Sequence, residues 1–339
     1  MAFFMRFIFT CQEACRELTL YEFKLYDPSF IFTGWLDREV GLAETALDNT
    51  ALSALIRSAP IIFVRHIFAA DITLQPNDEF ITQLAALCSA TAYYGSTVSV
   101  QVRACEKPCI APEGLAERIA VPLGEAGFTP DLKEGEDILS VYIAENSIYA
   151  GLGNACENLS KWRGGMPFYS KSSGFGFVSR AEYKLAEALE SFNINFEGIK
   201  TALDLGAAPG GWTKALLDRG AAVISVDPNR LDPSLRGDRR IKYYPMTAER
   251  YLKLCATESF NIIVDDMKLD ADKSLAIVKR FYGRLVSGGY AVITLKLEHG
   301  FCYKTIRDCM SAVRPFEVVG ARQLFHNRSE VTLVLQKNK

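Results

Sequence analysis

The pattern of apolar and polar positions differs between the two halves of the chain. In the first half, short predicted strands and helices follow one another, and residues 138–144 and 147–151 are predicted to form a hairpin that turns at Glu145-Asn146. This order favours two small α+β layers over a doubly wound sheet. The strands are predicted at 3–10, 29–36, 61–68 and 97–103, and the helices at 12–22, 50–58, 79–92 and 112–126.

From residue 179 onward, near-continuous apolar strands are separated by helices. Ser179 and Glu182 form a capping box that opens the first helix, which is predicted to reach about Phe192. Strands of this kind are typical of a parallel sheet covered on both faces, and the last two strands, with no helix between them, predict an antiparallel pair at one edge. The strands are predicted at 201–205, 222–226, 241–244, 261–264, 290–295, 316–325 and 330–336, and the other helices at 212–219, 247–255, 271–286 and 303–313.

The composition is that of a globular protein with more than one core. The chain has 339 residues, of which 49% are hydrophobic and 11% aromatic, enough for two domains. No apolar stretch approaches the roughly 18 residues of a membrane span, and the first residues are predicted to form a strand, so no membrane partner is expected. Nine scattered cysteines, without clustered histidines, indicate reduced thiols in the cytoplasm and no metal site.

Charge divides the chain as well. Residues 1–170 hold 12 Lys+Arg and 21 Asp+Glu, a net charge of −9, whereas residues 171–339 hold 26 and 19, a net charge of +7. The basic half therefore favours an anionic partner, although such an asymmetry between domains is common.

Residues 161–180 separate the two halves and combine basic and aromatic residues with glycine, serine and proline. Basic residues interleaved with aromatic ones are typical of a groove for single-stranded nucleic acid. A linker whose aromatic side chains pack on the neighbouring domains is equally compatible with this composition. The candidate RNA-binding residues are Lys161, Trp162, Arg163, Lys171 and Arg180.

A glycine-rich turn follows the first strand of the second half, at the edge of a parallel sheet where ligands bind. Its spacing is not that of a dinucleotide or phosphate loop. Asp204, just before the turn, would repel a pyrophosphate but suits an ammonium group, and Asp227, closing the next strand, is placed to accept hydrogen bonds from ribose hydroxyls. These features favour S-adenosylmethionine over a nicotinamide cofactor. The candidate cofactor residues are Asp204, Gly206, Ala207, Pro209, Gly210, Gly211, Trp212, Asp227 and Asp266.

Two further strand ends carry Asp265-Asp266 and Lys296. A lysine at a strand end is usually a solvated cation, and an aspartate there is usually a helix cap. Together at one sheet edge, however, a partly desolvated lysine held among carboxylates can steer a proton.

These motifs together resemble the FtsJ-type RNA ribose 2′-O-methyltransferases. The resemblance lies in Ser179-Arg180-Ala181-x-x-Lys184-Leu185, in Leu203 to Trp212, in Asp266-Met267, in Lys296 and in Ser329-Glu330-Val331. It implies a Rossmann-like class I methyltransferase domain with a mixed seven-stranded sheet and S-adenosylmethionine as cofactor. It also implies a catalytic tetrad, for which Asp266 is preferred to Asp265 because the family's acid directly precedes the methionine. By motif the tetrad falls on Lys184, Asp266, Lys296 and Glu330.

The first half resembles a THUMP domain preceded by a ferredoxin-like subdomain, through residues 60–68 and 147–152. The whole chain is then similar to the RlmM-like bacterial enzymes, which implies methylation of a cytidine 2′-hydroxyl in large-subunit (23S) ribosomal RNA. Where the family often carries an acid near the adenine, this chain has Met246-Thr247. The expected boundaries are 1–70 (ferredoxin-like), 71–165 (THUMP-like), 166–178 (linker) and 179–339 (methyltransferase).

Other functions stay open at this point. An RNA-binding or ribosome-assembly factor could keep the methyltransferase fold without activity, and a transfer RNA could be the substrate. Methylation of a base or a small molecule is less compatible, because Asp265-Asp266-Met267-Lys268 is not the Asn/Asp-Pro-Pro-aromatic motif that base-amino methylation often uses.

Overall fold

The computed structural model describes residues 4–58, 61–77, 79–91, 95–131, 135–169, 178–254, 257–297, 300 and 302–338. Contacts divide the chain into two compact units, Met1–Phe168 and Tyr169–Lys339. The division falls inside the segment 166–178 that the composition predicts as a linker. In the described parts of the chain, no helix is both long and apolar enough to cross a membrane.

The first unit begins with a four-stranded antiparallel sheet in the order β2-β3-β1-β4. Two helices connect the strands in the βαββαβ order of the ferredoxin-like arrangement. A core of phenylalanines fixes this layer, because Phe7, Phe9 and Phe23 are fully buried in mutual contact. The elements are β1 (Met5–Thr10), α1 (Arg16–Tyr26), β2 (Ile31–Asp37), β3 (Val40–Thr45), α2 (Asn49–Ser58) and β4 (His66–Ala69).

One predicted strand of this layer is shorter than its apolar run. Residues 61–68 were expected to be extended throughout, but β4 begins only at His66. The amide groups of Ile62 and Phe63 donate to the buried carboxylate of Glu22, over 3.0 and 3.1 Å. Because a side chain takes these donors, this part of the run forms no strand ladder.

A second, five-stranded sheet follows in the order β5-β9-β8-β6-β7. Strand β6 is parallel to β7 and β8, and the other pairs are antiparallel. The predicted hairpin is confirmed as β8 and β9, since Ile143 pairs with Ile148 across the turn. The elements are β5 (Ile72–Leu74), α3 (Phe80–Thr91), β6 (Thr97–Ala104), α4 (Leu115–Glu125), β7 (Thr129–Pro130), β8 (Asp137–Ile143) and β9 (Ile148–Gly153).

The second unit is a seven-stranded sheet in the order β12-β11-β10-β13-β14-β16-β15, so the predicted mixed Rossmann-like sheet is confirmed. Helices α5 and α6 pack against one face, and α8 packs on β13 and β14 beside α7 and α9. The elements are α5 (Ala181–Ser191), β10 (Thr201–Leu205), α6 (Gly211–Asp218), β11 (Ala222–Val226), β12 (Ile241–Tyr244), α7 (Ala248–Leu254), β13 (Phe260–Asp265), α8 (Ala271–Arg280), β14 (Leu285–Lys296), α9 (Tyr303–Ser311), β15 (Glu317–Arg322) and β16 (Glu330–Gln336).

One helix of this unit is shorter than expected. The helix predicted over 271–286 ends at Arg280, because Leu285 already pairs with Phe260 as the first residue of β14. The predicted antiparallel pair at one edge is confirmed as β15 and β16, and β16 lies between β14 and β15, antiparallel to both. Its first residue, Glu330, is thereby placed opposite Lys296, the last residue of β14.

Candidate active site

Four separate elements bring the predicted tetrad to one edge of the second unit's sheet. Lys184 projects from α5, Asp266 follows β13, Lys296 ends β14 and Glu330 begins β16. Parallel strands β13 and β14 end at the same edge, and the antiparallel β16 starts there. The topology therefore collects residues that are up to 146 positions apart in the sequence.

The four side chains alternate in charge and close into a ring, called the charge ring below. Lys184 Nζ lies 2.7 Å from Glu330 Oε2 and 3.6 Å from Asp266 Oδ1. Lys296 Nζ lies 2.9 Å from Glu330 Oε1 and donates a further hydrogen bond to Asp266 Oδ1. The side chains keep 13–17% of their surface exposed, so the ring is largely desolvated and still accessible from outside.

Lys296 holds its proton in this arrangement. Burial alone would lower the pKa of its ammonium group, but the charges of Asp266 and Glu330 and their hydrogen bonds outweigh burial and raise the pKa. Lys296 is therefore held in the charged state, in which it can donate hydrogen bonds and provides positive potential.

The neighbouring acid, Asp265, has a different role. It is fully buried and accepts hydrogen bonds from the Met267 amide, at 2.9 Å, and from the Ser274 hydroxyl. Burial raises its pKa to about 7. Asp265 thus fixes the turn between β13 and α8, and Asp266 is the acid that faces the two lysines.

Thr294 supports the ring and was missed by sequence reasoning. Its buried hydroxyl lies 2.7 Å from Asp266 Oδ1 and 3.1 Å from the Asp265 carbonyl. The signal that could have found it is the two-residue period of a strand, which puts Thr294 on the same face as Lys296.

Glu187 was also missed, although it connects two elements of the site. Its carboxylate accepts the amides of Phe325 and His326 at 2.7 and 2.9 Å, and its Oε2 lies 2.8 Å from His326 Nδ1. Helix α5, which carries Lys184, is in this way joined to the segment that leads into Glu330. The sequence gives little signal here, because a glutamate on a helix is usually solvated.

Residues 206–211 form a glycine loop between β10 and α6. Gly206 and Gly210 have φ values of +77° and +120°, which side chains rarely adopt. A Cβ at Gly206 would lie 2.7 Å from the Cα of Met267, so the loop passes directly against the turn that carries Asp266. The Ala208 amide donates to Asp227 Oδ2 at 3.1 Å, which ties the loop to the end of β11.

The loop fits an amino acid and ribose ligand such as S-adenosylmethionine. Two buried polar atoms beside it, Asp204 Oδ1 and Trp212 Nε1, have no hydrogen-bond partner among the described residues. Asp227 accepts amides with both oxygens but keeps some exposed surface and free lone pairs for a ribose diol. Pro209 is the exposed point of the loop, and Ala207 and Gly211 are buried.

Asp204 lies deeper than expected. It has no exposed surface, Thr213 donates to its Oδ2 at 2.6 Å, and burial raises its pKa to about 7. It supports the first turn of α6 from below through Thr213. That its carboxylate faces the ammonium group of a ligand stays a prediction.

The candidate RNA-binding residues are divided between the two units. Lys161 lies over the Trp162 ring at 5.1 Å, and Arg163 donates to the Val102 carbonyl at 3.1 Å, so these three belong to the first unit. Arg180 is exposed just before α5 in the second unit. Lys171 lies outside the described residues.

In the described ranges, no group of three or more His, Cys, Asp or Glu residues is arranged to hold a metal ion, and the eight cysteines described there are free.

Comparison with known proteins gives this site its class. A family described as FtsJ-like methyltransferase matches residues 177–328, which include the glycine loop and three members of the charge ring. The second unit, with its Rossmann-like sheet, therefore contains a domain that matches the FtsJ-like methyltransferase family.

The individual proteins that match this chain have low sequence identity to it, between 25% and 32% for the three described here. Uncharacterized protein MJ1257 of Methanocaldococcus jannaschii is 27% identical over 170 residues, and ribosomal RNA large subunit methyltransferase M of Halorhodospira halophila is 32% identical over 166 residues. Each match covers 47% of both proteins, so the aligned part spans about half the length of these relatives. The protein of the same name from Shewanella sediminis is 25% identical over 316 residues, which cover 86% of this chain and 85% of its own.

Proposed function

We propose that this protein is an S-adenosylmethionine-dependent RNA methyltransferase that modifies a ribose 2′-hydroxyl. The observation that carries the proposal is the closed charge ring at the carboxyl edge of the sheet, next to the glycine loop. A cytidine of 23S ribosomal RNA in the cytoplasm is the proposed substrate. The names of the Halorhodospira and Shewanella relatives support ribosomal RNA of the large subunit.

The charge ring suits the alignment of a weak nucleophile. When bound, S-adenosylmethionine supplies an electrophilic methyl group on a sulfonium. Lys296, protonated and held by Asp266 and Glu330, donates a hydrogen bond to the 2′-oxygen and stabilises negative charge there. Alignment of this kind contributes up to about 7–11 kcal/mol in ideal cases.

Proton balance follows from the same ring. As the oxygen–methyl bond forms and the sulfur–methyl bond breaks, the hydroxyl proton has to leave the oxygen. The carboxylates of Asp266 and Glu330 are the acceptors nearest to Lys296 and pass the proton on to solvent. Lys184, hydrogen-bonded to Glu330, provides the second cation, so that the two lysines balance the two carboxylates in this step.

The first unit is proposed to bind and orient the RNA. We infer that its two sheets belong to the ferredoxin-like (1–70) and THUMP-like (71–165) domains that the sequence predicts. Lys161 and Trp162 provide a cation and an aromatic face for this purpose. The acidic balance of this half requires a local basic surface for the contact.

Mapping of ribose methylation in ribosomal RNA from cells with and without the gene tests the assignment. We expect the loss of one 2′-O-methyl mark in 23S RNA, restored by the wild-type protein but not by Lys296→Ala. Unchanged ribose marks in all ribosomal RNA would contradict the ribosomal substrate. A mark lost from transfer RNA would redirect the assignment to that substrate, and unchanged marks in both would leave the non-catalytic assembly role.

A further inference from the structure

A second pocket of the methyltransferase unit is built by the segment between β11 and β12. It has a volume of about 400 Å³, which is in the range of small-ligand sites. Two guanidinium groups, three aliphatic side chains and one tyrosine form most of its wall. One carboxylate, that of Asp238, also lines it. The arginine pocket is lined by Arg230, Leu231, Leu235, Arg236, Gly237, Asp238, Ile241 and Tyr243.

The segment that builds the pocket carries an excess of positive charge. Residues 228–243 contain five Arg and Lys against two Asp. Asp238 is engaged by Arg240 at 2.6 Å, and Asp232 accepts the amide and hydroxyl of Ser234. Arg230 and Arg236 are exposed, and no carboxylate of the described residues lies within 4.0 Å of either.

The segment is held rigidly against the cofactor side of the domain. The Asp232 amide donates to the Pro209 carbonyl at 2.8 Å, and Leu235 packs against Gly210, so the segment contacts the glycine loop directly. At its other end, the Tyr243 hydroxyl donates to the carbonyl of Asn229 at 2.7 Å. The two arginines are therefore presented on a fixed backbone, so binding costs little backbone entropy.

We propose that the arginine pocket binds a phosphodiester of the RNA substrate, at a nucleotide that flanks the methylated one. This inference rests on the proposed function. Arginine forks match phosphate oxygens, and the apolar wall with Tyr243 suits the adjoining ribose or base. Because the pocket adjoins the glycine loop, which is the proposed cofactor site, a nucleotide next to the methylated one could reach it.

The test compares two double variants with the same change in charge. Arg230→Gln with Arg236→Gln removes the two pocket cations. Lys200→Gln with Arg314→Gln removes two exposed cations at the opposite, amino-terminal edge of the sheet. The substrate fragment of ribosomal RNA is titrated at several salt concentrations, and single-turnover methyl transfer is measured in parallel.

For the pocket variant we expect the slope of log K against log salt to fall by about 0.7–1.4, since each lost contact with single-stranded phosphate accounts for about 0.7. The KM for RNA should rise at least threefold beyond that of the control variant, with kcat and S-adenosylmethionine affinity unchanged. Equal slopes and KM values for the two variants would overturn the proposal.

Two further outcomes separate this inference from the proposed function. Loss of RNA affinity in the pocket variant, together with a wild-type protein that transfers no methyl group, would keep the pocket and remove the enzyme assignment. Inorganic phosphate that binds the wild type, by calorimetry, more tightly than the RNA does would overturn the pocket as an RNA site, because the ligand would then be the free anion.

Discussion

In the charge ring, each of the two ammonium groups lies within hydrogen-bond distance of a carboxylate. In the arginine pocket, the two exposed guanidinium groups have no carboxylate within 4.0 Å among the described residues. Both belong to the same domain and both adjoin the glycine loop. Paired ammonium and carboxylate groups hold one another in place and keep their protonation states, so they suit the positioning of a reacting atom. Uncompensated charge attracts an anion, so it suits recruitment. A chain that is nearly neutral overall can thus keep positioning and recruitment at two separate sites, the charge ring and the arginine pocket.

Loss of Asp266, the acid that faces both lysines of the charge ring, should have the largest effect on activity. In Asp266→Asn, Lys296 loses one of its two anionic partners, so both its orientation and its potential change. We expect kcat to fall by about 10²–10⁴, with a dissociation constant for S-adenosylmethionine near that of the wild type. Single-turnover methyl transfer and calorimetry measure the two quantities.

Asp308→Asn is the matched control, because Asp308 pairs with Lys304 on an exposed helix face. More than a tenth of wild-type transfer in Asp266→Asn would argue against a catalytic ring.

The next largest effect, on stability and cofactor affinity, is expected at the glycine loop, which adjoins both the charge ring and the arginine pocket. In Gly206→Ala the new Cβ meets backbone at 2.7 Å at a φ of +77°, while in Gly220→Ala the φ is +91° and nothing lies within 4 Å. We expect both to pay about 1 kcal/mol in backbone strain, and Gly206→Ala to lose roughly 1–3 kcal/mol more and to bind S-adenosylmethionine more weakly.

Denaturant unfolding and calorimetry of the two glycine variants check this difference. Equal free energies of unfolding and equal cofactor affinities would mean that the loop is not closely packed against the turn of Asp266.

A smaller effect is expected at the link between α5 and β16. Glu187→Gln replaces one carboxylate oxygen with an amide donor, so it cannot accept the hydrogen bonds of both Phe325 and His326. We expect kcat to fall about tenfold, or about 1.4 kcal/mol, with little change in the KM for S-adenosylmethionine. Glu190→Gln, one turn further along the helix, should leave kcat unchanged, and an equal loss in both variants would assign the effect to the helix as a whole.

The buried acid beneath the loop should give the smallest effect, and one that depends on pH. The pKa of Asp204 is raised to about 7 in the folded protein, so the folded state binds a proton that the unfolded state releases near pH 4. Its contribution to stability is therefore present at low pH and is lost as pH rises through 7.

We expect the free energy of unfolding of the wild type, relative to Asp204→Asn, to fall by about 0.7 kcal/mol between pH 6.5 and 7.5. Denaturant unfolding at several pH values measures this difference. Parallel pH profiles for the two proteins would show that Asp204 does not titrate in this range.

The sequence predicted the strand ends well, because a charged residue that closes an apolar run is visible in one dimension. Lys296 and the pair Asp265-Asp266 were placed this way, whereas the family resemblance added Lys184 and Glu330 and preferred Asp266 to Asp265. The charge ring itself depends on β16 lying between β14 and β15, which is a matter of three-dimensional pairing.

Other features were hidden for identifiable reasons. Glu22 takes the amide groups of an apolar run that resembles a strand, and the buried Phe281 made α8 appear longer than it is. Glu187 and Arg236 look like ordinary surface charges until the packing of their neighbours is known. Partnerships of this kind depend on residues that are distant in sequence, so local patterns do not contain them.

The most direct test of the central claim is methyl transfer to the 2′-oxygen of the RNA by Lys296→Ala, measured with its affinity for S-adenosylmethionine. We predict that transfer falls at least 10³-fold while cofactor affinity stays within about threefold of the wild type. Lys304→Ala, which removes an exposed and paired lysine, should transfer at the wild-type rate. Transfer by Lys296→Ala at a rate close to that of the wild type would contradict the account, because the ring would then be a structural network rather than the site of reaction.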